Sequence, residues 1–171
     1  LLQTDLIRLQ CYEGLDESRA LYEWNYQKQL LRIQTDTAQA LGWEDASEHI
    51  FSLDYLLKRP LLQAISARQK VVLLIDEVDK ADEEFEAFLL ELLSDFQVSI
   101  PELGTMRAVH RPVVILTSNR VRELSEALKR RCLHLYIDFL GVEMEAKIIA
   151  LKVANLDENL RRQVARFVNN L

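Results

Sequence analysis

The sequence predicts an α/β fold in which parallel strands are connected by helical crossovers. Two short aliphatic runs, residues 71–75 (VVLLI) and 113–116 (VVIL), lack polar alternation, as do strands that are covered on both faces. Between them, residues 82–96 carry apolar side chains at offsets of three and four, the spacing of an amphipathic helix. A strand, a helix and a second strand in this order favour a parallel sheet.

The elements before this core follow from the same patterns. Residues 4–11 are predicted to form a strand, and residues 16–33 a single helix in which Trp24 serves packing. Residues 36–66 are expected to form several short helical segments. A break is expected at Pro60, because proline lacks an amide donor and crowds the preceding turn.

The elements after the helix complete the α/β pattern. Residues 97–112 are predicted to form a hairpin. Val98 and Ile100 alternate with polar residues there, and Gly104 can adopt the positive φ of a turn. Residues 124–131 are predicted to form a short helix and residues 133–137 a third buried strand. Residues 143–171 are expected to be helical.

Composition excludes several classes of protein. The chain has 171 residues, 49% of them hydrophobic, which suffices for a real core. Its longest aliphatic run has five residues, far below the roughly 20 that span a bilayer, so we expect a cytoplasmic protein without membrane contact. Its two cysteines are 121 positions apart and suggest neither zinc nor a disulfide framework. The net charge of −6 argues against generic nucleic-acid binding.

Polar residues follow both predicted core strands. Asp76 and Glu77 end the first strand, and Thr117, Ser118 and Asn119 end the second. Parallel strands place their carboxyl ends at one edge of a sheet, where ligands bind. There an aspartate can bind Mg²⁺, a glutamate can polarise a water, and an asparagine can hold that water. Taken alone, Asp76-Glu77 is better explained as an acidic strand end or a helix cap, and the two strand endings at matching positions favour the functional interpretation.

Charge is distributed in two blocks. Residues 76–95 contain nine acids and one base, a balance of 1 − 9 = −8. Residues 107–131 contain seven bases and two acids, a balance of 7 − 2 = +5. Each block alone could be a solvated face. Together they suggest head-to-tail association, in which an arginine of one subunit reaches a neighbour's nucleotide.

Several segments resemble one family. Residues 73–81 (LLIDEVDKA) resemble the Walker B segment of AAA+ ATPases, residues 116–119 (LTSN) resemble sensor 1, and residues 128–131 (LKRR) resemble the arginine-finger segment. Residues 88–119 are similar in order and spacing to the MoxR-like group. The segments IRLQCYEG at 7–14 and YEWNY at 22–26 are similar to the subgroup associated with carbon monoxide dehydrogenase maturation.

The resemblance implies roles for individual residues. Asp76 would carry Mg²⁺ and, with Thr117, contact the bound ATP. Glu77 would be the catalytic base and Asn119 sensor 1. Arg130 would be the finger that acts on the neighbouring subunit's ATP, with Arg131 as the alternative.

Two departures from the family are visible. None of the four glycines is followed by lysine, so no Gly-Lys-Ser/Thr phosphate loop can be written. Truncation and natural loss of the loop both remain open, and the chain by itself is expected to be inactive. The resemblance divides the chain into a partial three-layer AAA+ core, residues 1–140, with helices on both faces of the sheet, and the start of a helical lid, residues 141–171. Leu140 stands where the group usually has proline.

The function implied is Mg²⁺-dependent ATP hydrolysis by a ring, expected to be hexameric, that acts as a chaperone-like remodeller. A von Willebrand A-domain protein and a metalloenzyme under maturation are the partners that the resemblance suggests. Two alternatives stay open: a non-catalytic AAA+-like scaffold without a phosphate loop, and a clamp-loader-like DNA machine. The acidic charge opposes the second alternative.

Overall fold

The computed structural model describes residues 3–38, 50–153 and 156–169. The chain divides into two compact units, Leu1–Cys132 and Leu133–Leu171, whereas the family resemblance places a boundary after residue 140. The first unit contains, in chain order, β1 (Leu6–Gln10), α1 (Glu17–Leu21), β2 (Tyr22–Trp24), α2 (Tyr26–Ala38), β3 (Leu56–Lys58), α3 (Pro60–Ile65), β4 (Val72–Asp76), α4 (Glu83–Asp95), β5 (Gln97–Ile100), β6 (Gly104–Arg107), β7 (Val113–Leu116) and α5 (Glu126–Arg131). The second contains α6 (Val142–Lys152) and α7 (Glu158–Asn169).

The parallel sheet predicted from the two aliphatic runs is confirmed. Its order is β1-β4-β7, and both pairings are parallel. The central strand β4 buries Leu73 and Ile75 completely, as expected for a strand covered on both faces. In the register, Gln10 lies opposite Asp76, and Ile75 lies opposite Leu116. The carboxyl ends of all three strands therefore meet at one edge.

The crossover helix α4 forms where the apolar spacing predicts it. Asp82 caps its first turn by accepting a hydrogen bond from the Phe85 N–H at 2.8 Å. Phe85, Leu89 and Leu92 are buried on one face. The helix ends at Phe96, whose φ of 50° is left-handed and whose N–H bonds the Leu92 carbonyl at 2.8 Å. The same strand, helix and strand order that the sequence predicts is thereby built.

The hairpin prediction is also confirmed. β5 pairs antiparallel with β6, and Gly104 opens β6 with a φ of +77°, a conformation that side chains with a Cβ rarely adopt. The predicted helix at residues 124–131 begins slightly later, because Ser125 is its N-cap and accepts from the Leu128 N–H at 3.3 Å.

The prediction of a single helix over residues 16–33 is wrong. Between α1 and α2 the chain forms β2, which pairs antiparallel with β3 and places Trp24 opposite Leu56. Aromatic residues fit a pleated surface well, and Trp24 packs edge-on against Phe51 with ring centroids 5.4 Å apart. Asn25 then restarts a helix by accepting from the Lys28 N–H at 3.0 Å.

Pro60 opens α3 rather than breaking a helix. It occupies the first turn, where a missing amide donor costs nothing, and the preceding residues form β3. The helical prediction for residues 36–66 therefore fails at β3. The part of it that concerns residues 39–49 lies outside the described residues.

The second unit lacks the strand predicted at residues 133–137. Leu133, Leu135 and Ile137 are exposed there, and among the described residues no strand pairs with this segment. An aliphatic run forms a strand only when a neighbouring strand satisfies its backbone groups. The helical prediction for residues 143–171 is confirmed over α6 and α7, although Val153, Leu156 and Asp157 between them are not helical. None of the helices in the described ranges is long and apolar enough to cross a membrane.

The cap of α4 gives a first testable prediction. Replacing Asp82 with alanine should lower the free energy of unfolding of the 171-residue chain by about 1 kcal/mol, because the Phe85 N–H loses its acceptor. Urea denaturation measures the change. Glu83→Ala, in the same exposed turn but outside the cap, is the matched control and should cost less than about 0.5 kcal/mol. Equal losses in the two variants would contradict the assigned cap.

Candidate functional site

The polar ends of β4 and β7 lie side by side at the edge of the sheet. The Thr117 N–H donates to the Ile75 carbonyl at 3.0 Å, and the Val78 N–H donates to the Thr117 carbonyl at 2.9 Å. These bonds extend the parallel ladder past both strands. The structure thus brings together four of the residues singled out from the sequence, namely Asp76, Glu77, Thr117 and Asn119.

The carboxylate of Asp76 has a donor on each oxygen. The Thr117 hydroxyl donates to Oδ1, and the Arg8 guanidinium donates to Oδ2 through Nε at 3.1 Å and also through Nη2. The Thr117 hydrogen bond, followed by that of Arg8, lowers the pKa of Asp76 below its usual value. Asp76 is therefore ionised at neutral pH.

The neighbouring Glu77 adopts an uncommon backbone conformation. Its φ of 55° and ψ of 47° are left-handed, and its N–H donates to the Thr117 hydroxyl oxygen at 2.9 Å. Its Oε1 accepts from Asn119 Nδ2 at 2.8 Å. Its Oε2 accepts from Gln10 Nε2 and lies near Lys80 Nζ, each at 2.7 Å. These contacts hold the carboxylate at the rim of the sheet despite the strained backbone.

Asn119 is placed by a buried carboxylate. Asp79 is only 3% exposed and accepts from the Asn119 N–H at 3.2 Å and from the Val121 N–H at 2.7 Å. A buried charge requires such partners, because leaving it without them is costly. The loop after β7 is thereby fixed, with the Asn119 amide directed at Glu77.

Sequence reasoning missed Arg8, Gln10, Asp79 and Lys80 as members of this cluster. Arg8 and Gln10 alternate with apolar residues on β1, so both lie on one face of that strand. Their spacing is a signal, but it identifies the site only once β1 is known to pair with β4. Asp79 and Lys80 lie within the acidic block that could also have been a solvated face.

Arg130 is separate from the cluster in this chain. It is exposed in the last turn of α5, and within the described residues its side chain forms no hydrogen bond or ion pair. Arg131, the alternative, donates through Nη1 to the Ala127 carbonyl at 3.3 Å. Lys129 pairs with Glu126 at 3.1 Å. Of the two arginines, Arg130 is therefore the one whose side chain forms no hydrogen bond to its own helix within the described chain.

The donor set suits a hard cation better than a soft one. The Asp76 carboxylate and the Thr117 hydroxyl offer oxygen ligands, and Mg²⁺ commonly takes one or two carboxylates together with substrate phosphates and water. Among the described residues, no group of three or more His, Cys, Asp or Glu could hold a metal on its own. Mg²⁺ at Asp76 would therefore need oxygens from a phosphate ligand.

The thiol of Cys11 lies beside the site and has a raised pKa. Cys11 is buried beside the site, and its N–H donates to the Asp76 carbonyl at 2.9 Å. Burial, with a further contribution from the Asp76 charge, raises the pKa of the Cys11 thiol to about 12. The thiol therefore stays protonated at neutral pH, which makes Cys11 a poor nucleophile.

The fold and this sheet edge together define an α/β protein of the AAA+ type. Residues 1–132 match the family model described as AAA domain (dynein-related subfamily), and the chain belongs to this family. The structure is similar to a crystal structure of a "putative ATPase" from Cytophaga hutchinsonii, with a TM-score of 0.55 and 19% sequence identity. That match covers 96% of this chain and 46% of the other, so the chain spans less than half of its length. No curated protein matches the chain.

The depressed pKa of Asp76 predicts a pH dependence. A carboxylate with a lowered folded-state pKa contributes stability above its unfolded pKa of about 3.9 and loses it as pH falls through the folded value. The difference in unfolding free energy between the chain and Asp76→Asn should therefore shrink from about pH 6 to about pH 3. Urea denaturation without Mg²⁺ measures it. The shrinkage should be smaller in an Arg8→Met background, and a difference that stays constant with pH would contradict the assignment.

Proposed function

We propose that this chain supplies the hydrolytic residues of a MoxR-like AAA+ ATPase that works as a ring-forming, chaperone-like remodeller. The observation that carries the proposal is the contact between Asn119 and Glu77, 2.8 Å apart, directly beside the ionised Asp76. Phosphoryl transfer to water uses three groups of this kind: a carboxylate that binds Mg²⁺, a second carboxylate that acts as the base, and an amide that orients the base.

In the proposed reaction each residue has one task. Asp76 and Thr117 would hold Mg²⁺ with the ATP phosphates. Bound Mg²⁺ supplies neutralisation of the charge that develops on the phosphates. Glu77 would accept the proton of the attacking water, and Asn119 would orient the Glu77 carboxylate. Both Glu77 oxygens already have donors, so Gln10 or Lys80 would have to release Oε2 before it can act as a base.

The rest of the nucleotide site would come from outside this chain. The sequence contains no phosphate loop, and the related solved protein is more than twice as long as the part that this chain matches. We therefore propose that, in the full-length natural protein, a glycine-rich loop holds the phosphates above Asp76.

Arg130 would act on the ATP of a neighbouring subunit. It is exposed, and within the described chain its side chain forms no hydrogen bond or ion pair, which leaves the guanidinium available to a partner. The acidic and basic blocks fit a head-to-tail ring, which we take to be hexameric. An arginine that reaches the γ-phosphate stabilises the charge of the transition state.

The proposed biological role follows the resemblance of residues 7–14 and 22–26 to the subgroup associated with carbon monoxide dehydrogenase maturation. A cytoplasmic ring of this kind would remodel a metalloenzyme client together with a von Willebrand A-domain protein. A non-catalytic scaffold is the second candidate. The Arg8 guanidinium on Asp76 favours it, because Mg²⁺ would compete with that charge.

Replacing Glu77 tests the enzymatic proposal. In the full-length protein, Glu77→Gln should reduce ATP turnover by at least about 100-fold, because an amide cannot accept the proton of the water. ATP affinity should be unchanged, since Asp76 and Thr117 remain. Steady-state phosphate release and calorimetry measure the two quantities. Glu84→Gln, exposed on α4, is the matched control. Unchanged turnover in Glu77→Gln, or no turnover by the natural protein, would favour the scaffold.

Replacing Arg130 tests action between subunits. Rings made only of Arg130→Ala subunits should lose about 1000-fold or more of their turnover, as when an arginine finger is removed. In mixed rings of Arg130→Ala and Glu77→Gln subunits, turnover should rise above that of either variant alone, because a Glu77→Gln subunit supplies its arginine to the intact hydrolytic site of an Arg130→Ala neighbour. Lys129→Ala is the control from the same turn, and Arg131→Ala tests the alternative finger. Turnover in this mixture no higher than in the separate variants would argue against action in trans.

A further inference from the structure

A second buried carboxylate lies outside the cluster described above. Glu86 is on the first turns of α4 and is only 1% exposed. The other buried members of α4 are the apolar residues Phe85, Leu89 and Leu92. Burying a charged side chain in such surroundings is costly unless it is matched by partners. The partners of Glu86 all lie in one segment, the one that leads from the site to α5.

Glu86 binds that segment through both oxygens. Its Oε2 accepts from the Ser125 N–H at 3.0 Å, and Ser125 is the N-cap of α5. Its Oε1 forms an ion pair with Arg122, whose Nη2 lies 2.5 Å away. Within the described chain Oε1 has no aligned hydrogen-bond donor, and the same Nη2 donates to the Ala81 carbonyl at 2.6 Å. Arg122 thus joins the start of α4 to the entrance of α5.

The segment is held at both ends by buried carboxylates. Asp79 binds the Asn119 and Val121 N–H groups at its start, and Glu86 binds Ser125 at its end. Both carboxylates belong to the stretch that follows β4. The position of α5 relative to the sheet edge is therefore set by these contacts, together with the burial of Leu128.

We propose that Glu86, acting through Arg122 and Ser125, is a positioning residue that places α5 so that Arg130 reaches the ATP of the neighbouring subunit. The inference rests on the proposed function, since it assigns Arg130 its action in trans. Glu86 touches neither the nucleotide nor the reacting atoms. Its effect is on the neighbour's site, whereas Asp79 serves the site of its own subunit.

Subunit complementation in the full-length protein tests this inference. Rings of Glu86→Ala alone should lose about 100-fold in turnover, the cost of a displaced catalytic group, with ATP affinity unchanged. Mixing Glu86→Ala with Glu77→Gln should restore turnover above either variant alone. The Glu77→Gln subunit supplies a well-placed arginine, and the Glu86→Ala subunit supplies an intact hydrolytic site. Arg130→Ala mixed with Glu77→Gln is the reference, and Glu91→Ala, exposed on the same helix, is the control.

The outcomes separate this inference from the function on which it rests. Restoration in both mixtures supports it. Restoration in the Arg130→Ala mixture alone would show that Glu86 acts within its own subunit, which overturns the inference and leaves the function standing. Failure of both mixtures, or full turnover in Glu86→Ala rings, also overturns it. Should Glu86→Ala fail to fold, Glu86→Leu with Arg122→Met removes both charges and keeps the volume, and the same complementation is expected.

Discussion

Thr117 holds together the two strand ends on which the candidate site depends. Its backbone bonds Ile75 and Val78, which extends the β4–β7 ladder beyond the last paired residues. Its hydroxyl donates to Asp76 and accepts from the Glu77 N–H. One side chain thus fixes two consecutive carboxylates, and it can do so only because the strands are parallel neighbours. A shift of β7 by one residue would turn Thr117 to the other face of the sheet.

Two adjacent carboxylates at one sheet edge would repel each other without countercharges. The structure separates them by giving each its own cation, Arg8 for Asp76 and Lys80 for Glu77. The left-handed backbone at Glu77 directs its side chain to Asn119 and Gln10, while Asp76 faces Thr117 and Arg8. The cost of this conformation, of the order of 1–3 kcal/mol, is offset by the hydrogen bonds that it allows.

Local patterns sufficed for the parts of the fold that are defined by contiguous residues. β4, α4 and β7 each carry their signal within one stretch, and polar residues after a strand identify Asp76 and Asn119 without any knowledge of neighbours. Pairings between distant residues were not predictable in this way. The β2–β3 pair depends on contacts across about thirty residues, and the roles of Arg8 and Gln10 depend on the strand order. Residues 133–137 have the pattern of a strand but, within the described chain, lack its partner.

The contacts around α4 also determine how many acids of the acidic block, residues 76–95, are available for association with another subunit. Of its nine acids, five are engaged within the chain: Asp76 and Glu77 in the cluster, Asp79 and Glu86 in the buried contacts, and Asp82 in the helix cap. Only Glu83, Glu84, Glu91 and Asp95 are exposed without such a role. In the basic block, residues 107–131, Arg122 is likewise paired with Glu86. Part of the charge in both blocks is therefore already paired within the chain, so a head-to-tail ring would draw on apolar or shape complementarity in addition to charge.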